Sequence, residues 1–186
     1  PRNSFLHAVL DTGKGIPITL SVVLLETGRR LGLPMKGVAL PGHFIVSATD
    51  GEESLLLDPF NKGKVITEDD CARIVGDLTG GSFDRGMLGE VSNRQILTRM
   101  LQNLKGIYFK SSELDRALRV IERLRLLHPE SAGELRDYGL VSFSLKKFGQ
   151  AVNSLEAYLK QVPDAIDSEK VRKVINESRQ RHSLLN

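Results

Sequence analysis

Apolar residues at Phe5, Leu6, Val9 and Leu10 recur at helical spacing and give way to turn residues at 11–15, which predicts a short amphipathic helix entering a loop. A stronger helix is predicted from Pro17. Proline suits the first helical position because its missing N–H has no intrahelical partner there. Residues 18–31 are apolar on most faces, Arg29 and Arg30 fall in the last turn where the helix dipole favours cations, and Gly32 is a stop signal. A helix apolar nearly all round is expected to be buried and central.

Beyond it the pattern alternates. Residues 36–40, 43–48 and 54–57 read as strands, with Asp50-Gly51 as the hairpin signal between the last two. Thr67 is placed to cap a further helix whose first turn carries Glu68, Asp69 and Asp70. One helix packed on an antiparallel sheet is the economical arrangement, an α+β core. The glycine-bearing stretch that follows predicts a linker at 79–91, between a first domain at 1–78 and a second at 92–186.

From Leu101 the chain repeats itself. Leu101, Leu104, Tyr108, Ala117, Ile121, Leu124 and Pro129 stand 34 residues before Leu135, Tyr138, Ser142, Ala151, Leu155, Tyr158 and Pro163. That period, with a small Ala where two helices cross and a Pro closing each unit, resembles the tetratricopeptide repeat. The departures are Leu for the usual Trp, Lys105 where the second copy keeps Gly139, and Ser142 for Tyr108. A last helix near 168–181 reads as a cap.

Composition changes the picture little, since 40% apolar and 26% charged residues are ordinary for a globular chain. No apolar run reaches the roughly 18–20 residues of a bilayer span, so no membrane association is expected. Cys71, the single cysteine, excludes an intramolecular disulfide and fits a reducing compartment such as the cytoplasm. The chain starts at Pro1 without Met, so a truncated N-terminus is expected. Charge is uneven: residues 1–91 hold nine Lys/Arg against twelve Asp/Glu, and residues 92–186 hold seventeen against eleven. The basic half favours an acidic partner, although its evenly spread charges are also those of a solvated helical surface.

The chemistry-bearing residues lie between Gly15 and Phe60: a helix start at GKGIPITL, a strand-leading His43 in PGHF, and a strand-ending Asp58 in LLLDPF. Their order is that of a thiol-dependent acyl-transfer site, with the nucleophile at a helix N-terminus and His and Asp on neighbouring strands. The nucleophile is missing, because the sequence reads Gly15-Ile16-Pro17 and Pro has no atom to attack with. This segment resembles the transglutaminase-like core shared with papain-type thiol enzymes. GIPITL, RRLGLP, PGHF and LLLDPF followed by two helical repeats resemble the SirB family, in which such a core precedes tetratricopeptide repeats. The resemblance implies an α+β core with an all-α two-repeat module and capping helix. It puts the family's His at His43, its Asp at Asp58 and its Cys position at Pro17.

Members of that family have no established reaction, so the expected function is a non-catalytic protein acting in protein–protein interaction or regulation. His43 and Asp58 are then a vestigial dyad that holds a loop. The rival is a hydrolase or acyl-transferase using His43 and Asp58 with a relocated nucleophile, Cys71. Its acidic flank at Glu68, Asp69 and Asp70 opposes thiolate formation. Thr19 and Ser21 lie near the helix start without an evident base. A third reading is an anion sensor at the helix start between Gly13 and Ile18, which lacks the GK[ST] ending of a nucleotide loop. By the repeat's usual geometry, Arg99, Gln102, Asn103, Lys110 and Arg136 face the concave side and are the expected contacts for a protein or peptide partner, acidic by charge. The four scattered histidines indicate no metal site, no cofactor is expected, and Arg116, Arg119 and Arg123 without interleaved aromatics give no nucleic-acid surface.

Overall fold

The structure, a computed structural model, describes residues 2–49 and 54–184. The Asp50-Gly51 hairpin signal lies outside the described residues. Two compact units divide at Met100/Leu101, the first 1–100 and the second 101–186.

The first unit opens with α1 (Leu6–Thr12), which Gly13 ends in the left-handed conformation, its N–H returning to the Val9 carbonyl. The second helix, α2 (Pro17–Arg30), starts at the predicted proline. Five strands follow in the order β4-β3-β2-β1-β5: β1 (Met35–Val38), β2 (Ile45–Thr49), β3 (Ser54–Asp58), β4 (Lys64–Ile66) and β5 (Glu90–Val91). All pairs are antiparallel. The helix α3 (Glu68–Thr79) is capped as predicted, the Thr67 hydroxyl accepting from the Asp70 N–H and the Asp70 carboxylate accepting from the Thr67 N–H.

Register explains one core. Val38 pairs with Ile45 and Leu56 with Ile66, so their side chains gather on one side, where α3 supplies Cys71 and Val75. Phe83, Met87 and Leu88 pack on the same cluster. The stretch expected as a linker, 79–91, therefore belongs to the first unit: it closes this core and adds β5 to the sheet edge. A two-residue strand has no alternation to read, and this is why β5 looked like linker.

A second cluster joins Ile18 of α2 to Phe44 and to Ile96 of the helix α4 (Asn93–Lys110). The expectation that α2 is buried all round is corrected here. Ile18, Thr19, Ser21 and Gly28 are buried, whereas residues 22–25 are half-buried. Its packing side is built from small and polar residues so that it lies close on β1: a Cβ at Gly28 would stand 2.5 Å from Met35 Sδ.

The second unit holds the end of α4 with α5 (Leu114–Leu127), α6 (Ala132–Ser144), α7 (Phe148–Gln161) and α8 (Ser168–Ser183). The 34-residue period is visible in the backbone itself. Ser112 and Lys146 both take positive φ, 57° and 59°. The N–H groups after them, Glu113 and Lys147, reach back to Tyr108 and Ser142 at 2.9 and 2.8 Å. Ala117 and Ala151, and Ile121 and Leu155, are fully buried in equivalent places. At Gly139 a Cβ would meet Leu155 Cγ at 2.5 Å, so α6 and α7 cross where only glycine fits. α8 packs on α7 through Val171 and Ile175. Among the described residues no single helix is long and apolar enough to cross a membrane.

Candidate functional site

The turn between β1 and β2 is set by Gly42, at φ 75°, and by the His43 N–H, which donates to the Leu40 carbonyl at 3.1 Å. This projects a buried imidazole toward the end of β3. There His43 Nε2 lies 2.9 Å from Asp58 Oδ2. Asp58 is fully buried and has other donors: Oδ1 accepts from the N–H groups of Phe60 and Asn61 at 3.0 and 3.2 Å, and Oδ2 accepts from Asn61 Nδ2 at 2.7 Å. A buried carboxylate with this many donors is compensated for its lost water. Phe60 sets its ring edge-on to the imidazole at 6.0 Å.

Two further residues hold the turn from behind. Arg99, half-buried on α4, donates through Nη2 to the main-chain oxygens of Leu40 and His43 at 3.1 and 2.8 Å, with its guanidinium over the Phe44 ring. Burial pushes the Arg99 pKa below its ordinary value. Ser21, buried on α2, donates to the Phe44 carbonyl at 3.3 Å. α2 also packs on the 3₁₀ turn Pro59–Asn61 that follows Asp58. Helix, imidazole and carboxylate therefore occupy one neighbourhood.

The hydroxyls considered as replacement nucleophiles have other work. Ser21 is bound to the Phe44 backbone, and Thr19 Oγ1 accepts the Ile16 N–H at 3.0 Å while donating to the Asn3 carbonyl at 2.8 Å. The same bond occupies an N–H that an anion at the helix start would need, and the Gly13 N–H is used by Val9. Cys71 is fully buried among Val38, Leu40, Ile45, Ile66 and Val75. Desolvation first, and then the charges of Asp70, Glu68 and Asp58, raise its thiol pKa above the ordinary value. That is the opposite of an activated thiol. What remains can orient and stabilise an imidazole; it has no side-chain atom at Pro17 on which an acyl group could rest.

Of the five residues expected to face a partner, two are committed elsewhere. Arg99 sits on the β1–β2 turn of the first unit, because the α4 positions before Leu101 serve the sheet. Arg136 is paired with Asp167 and Asp137. Gln102 and Lys110 are exposed and Asn103 is half-buried. The sequence reading passed over Asn61 and Phe60, although a strand-end Asp followed by Pro and, three residues on, Asn is a turn signature. It also passed over the partners of Lys105, whose Nζ meets Glu134 Oε1 at 2.8 Å and Asp137 Oδ2 at 3.0 Å. Among the described residues no cluster of His, Cys, Asp and Glu side chains could hold a metal ion.

Residues 1–102 match the transglutaminase-like superfamily, and residues 104–176 match the tetratricopeptide repeat. The chain belongs to the SirB family. It is 30% identical over 185 residues to the UPF0162 protein YchA of Escherichia coli K12, covering 97% of this chain and 68% of that one. It is 30% identical over 175 residues to protein SirB1 of Salmonella typhimurium, covering 92% and 65%. A UPF0162 protein of Xylella fastidiosa Temecula1 is 36% identical over 177 residues, 92% of this chain and 63% of the relative. The chain thus spans a little under two thirds of that SirB-family relative. The two matched regions meet near the division between the two compact units.

Proposed function

We propose that this SirB-family chain is a non-catalytic transglutaminase-like/tetratricopeptide protein that acts in protein–protein interaction or regulation, with an acidic protein or peptide partner, in a reducing compartment. The observation that carries the reading is that proline, not a nucleophile, starts α2, while His43 and Asp58 are hydrogen-bonded to each other and Asp58 to Asn61 as well. A thiol enzyme needs a low-pKa sulfur within reach of its imidazole. Here the proline offers none, and the one thiol is packed in the core with a raised pKa. The dyad then serves as a structural tie between the β1–β2 turn and the end of β3. The repeats carry the partner, since this module generally mediates protein–protein interaction, and Gln102 and Lys110 stand exposed on its first helix.

The test pairs turnover with partner capture. Purified protein is given a glutamine-containing peptide with and without a primary amine, and amide hydrolysis and transamidation are followed. No turnover above buffer is expected for the wild type or for His43→Gln, together with a specific binder in a partner screen. Turnover that His43→Gln removes, with no specific binder, would overturn the reading.

A further inference from the structure

α7 and α8 flank a groove of about 440 Å³ whose lining includes three basic residues, one acidic residue, one amide and two apolar side chains. α7 contributes Glu156, Leu159 and Lys160; α8 contributes Arg172, Ile175, Asn176 and Arg179. On α8, Arg172, Asn176 and Arg179 are spaced i, i+4 and i+7 and so share a side. On α7, Glu156 and Lys160 do the same at i and i+4. The two ends of the groove differ in charge. At one end Glu156 pairs with Arg179 and neutralises it. At the other, Lys160 and Arg172 are exposed, and among the described residues neither forms an ion pair. Between the ends lie half-buried Leu159 and buried Ile175.

We propose that this groove binds an acidic peptide segment, with carboxylates on Lys160 and Arg172 and an apolar side chain on Leu159; the proposal rests on the partner-binding reading above and locates it. Two uncompensated cations on facing helices suit carboxylates, whose charge-assisted bonds are the stronger kind, and the Asn176 amide offers a donor and an acceptor to a peptide backbone. The apolar strip favours a chain with side chains over a free inorganic anion. A nucleic-acid strand fits less well, because the lining has no aromatic ring to stack on a base.

The experiment uses the full chain and a fluorescein-labelled peptide in which Glu pairs alternate with Leu, followed by fluorescence polarisation. Saturable binding that weakens as salt rises is expected, and at least tenfold loss in Lys160→Glu/Arg172→Glu. Arg119→Glu, at an exposed position on α5, is the charge-reversal control and should bind as the wild type does, while Lys110→Glu tests the α4 face; unchanged helical circular dichroism shows that each variant is folded. Undiminished binding by the double variant overturns the groove, as does tighter binding of a single-stranded oligonucleotide. A loss confined to Lys110→Glu overturns the groove while leaving the partner-binding reading standing. Absence of saturable binding also overturns the groove, and the turnover and capture experiment then decides the broader reading independently.

Discussion

Arg99 Nη2 donates to the main-chain oxygen of His43 at 2.8 Å, so a half-buried cation on α4 fixes the backbone from which the imidazole projects. The same nitrogen reaches the Leu40 oxygen across the turn at 3.1 Å. One side chain thus pins both sides of the turn that Gly42 makes possible.

Replacing Arg99 by Leu should lower stability by about 2–3 kcal/mol, because two charge-assisted bonds are lost and the Leu40 carbonyl keeps only the neutral His43 N–H. Arg99→Lys should recover part of this, since a point-like ammonium cannot reproduce the guanidinium's packing over Phe44. Urea unfolding midpoints check it; a midpoint unmoved in Arg99→Leu would mean the turn is held without the arginine.

Lys105 shows why sequence alone misleads in the repeats. Glycine holds the equivalent place in the second copy because α6 and α7 touch there. In the first copy a Lys is tolerated because its head pairs with Glu134 and Asp137, both little exposed. Burial lowers the Lys105 pKa, but the bonds to Glu134 and Asp137 together outweigh it and the net shift is upward. Lys105→Met should cost about 3 kcal/mol by leaving the buried Glu134 without its cation and Asp137 with Arg136 alone. Lys105→Met/Glu134→Gln should recover a measurable part. Equal stability of the two variants, by thermal or chemical unfolding, would contradict the pairing.

The Arg136–Asp167–Tyr158 group sets a pH dependence with a definite sign. The Arg136 bond lowers the Asp167 pKa below its ordinary 3.8, desolvation opposes, and the Tyr158 hydroxyl adds to the lowering. A carboxylate with a depressed folded pKa contributes stability that is present above the unfolded pKa and lost as pH falls through the folded one. The stability gap between wild type and Asp167→Asn should therefore hold at neutral pH, begin to shrink as the pH approaches 3.8, and go on shrinking below it. A gap that persists unchanged at lower pH would exclude this linkage.

Much of the fold was legible because each signal had a local cause. Pro17 begins α2, Thr67 and Asp70 cap α3, and the 34-residue period reappears in the paired turns at Ser112 and Lys146. His43 and Asp58 were legible as a pair from their order alone, and they lie 2.9 Å apart. What escaped was set by tertiary contact. Arg99 continues the spacing of the repeat's first helix, so helical periodicity assigned it to a partner-facing surface, whereas the Leu40 and His43 carbonyls claim it. Apolar composition overstated the burial of α2, which approaches β1 closely at Gly28 and bonds the Phe44 carbonyl through Ser21. Arg136 looked free because Asp167 lies 31 residues away in the chain.

The alkylation rate of Cys71 against pH, in the wild type and in His43→Gln, tests most directly whether the frame lacks a nucleophile. Slow labelling, unaffected by the His43 substitution and with an apparent pKa above the usual value of about 8.5, is the predicted result, since the thiol is buried and its pKa is raised. Fast labelling in the wild type with an apparent pKa below that value, slowed by His43→Gln, would reveal a relocated thiol–imidazole pair and contradict a non-catalytic chain.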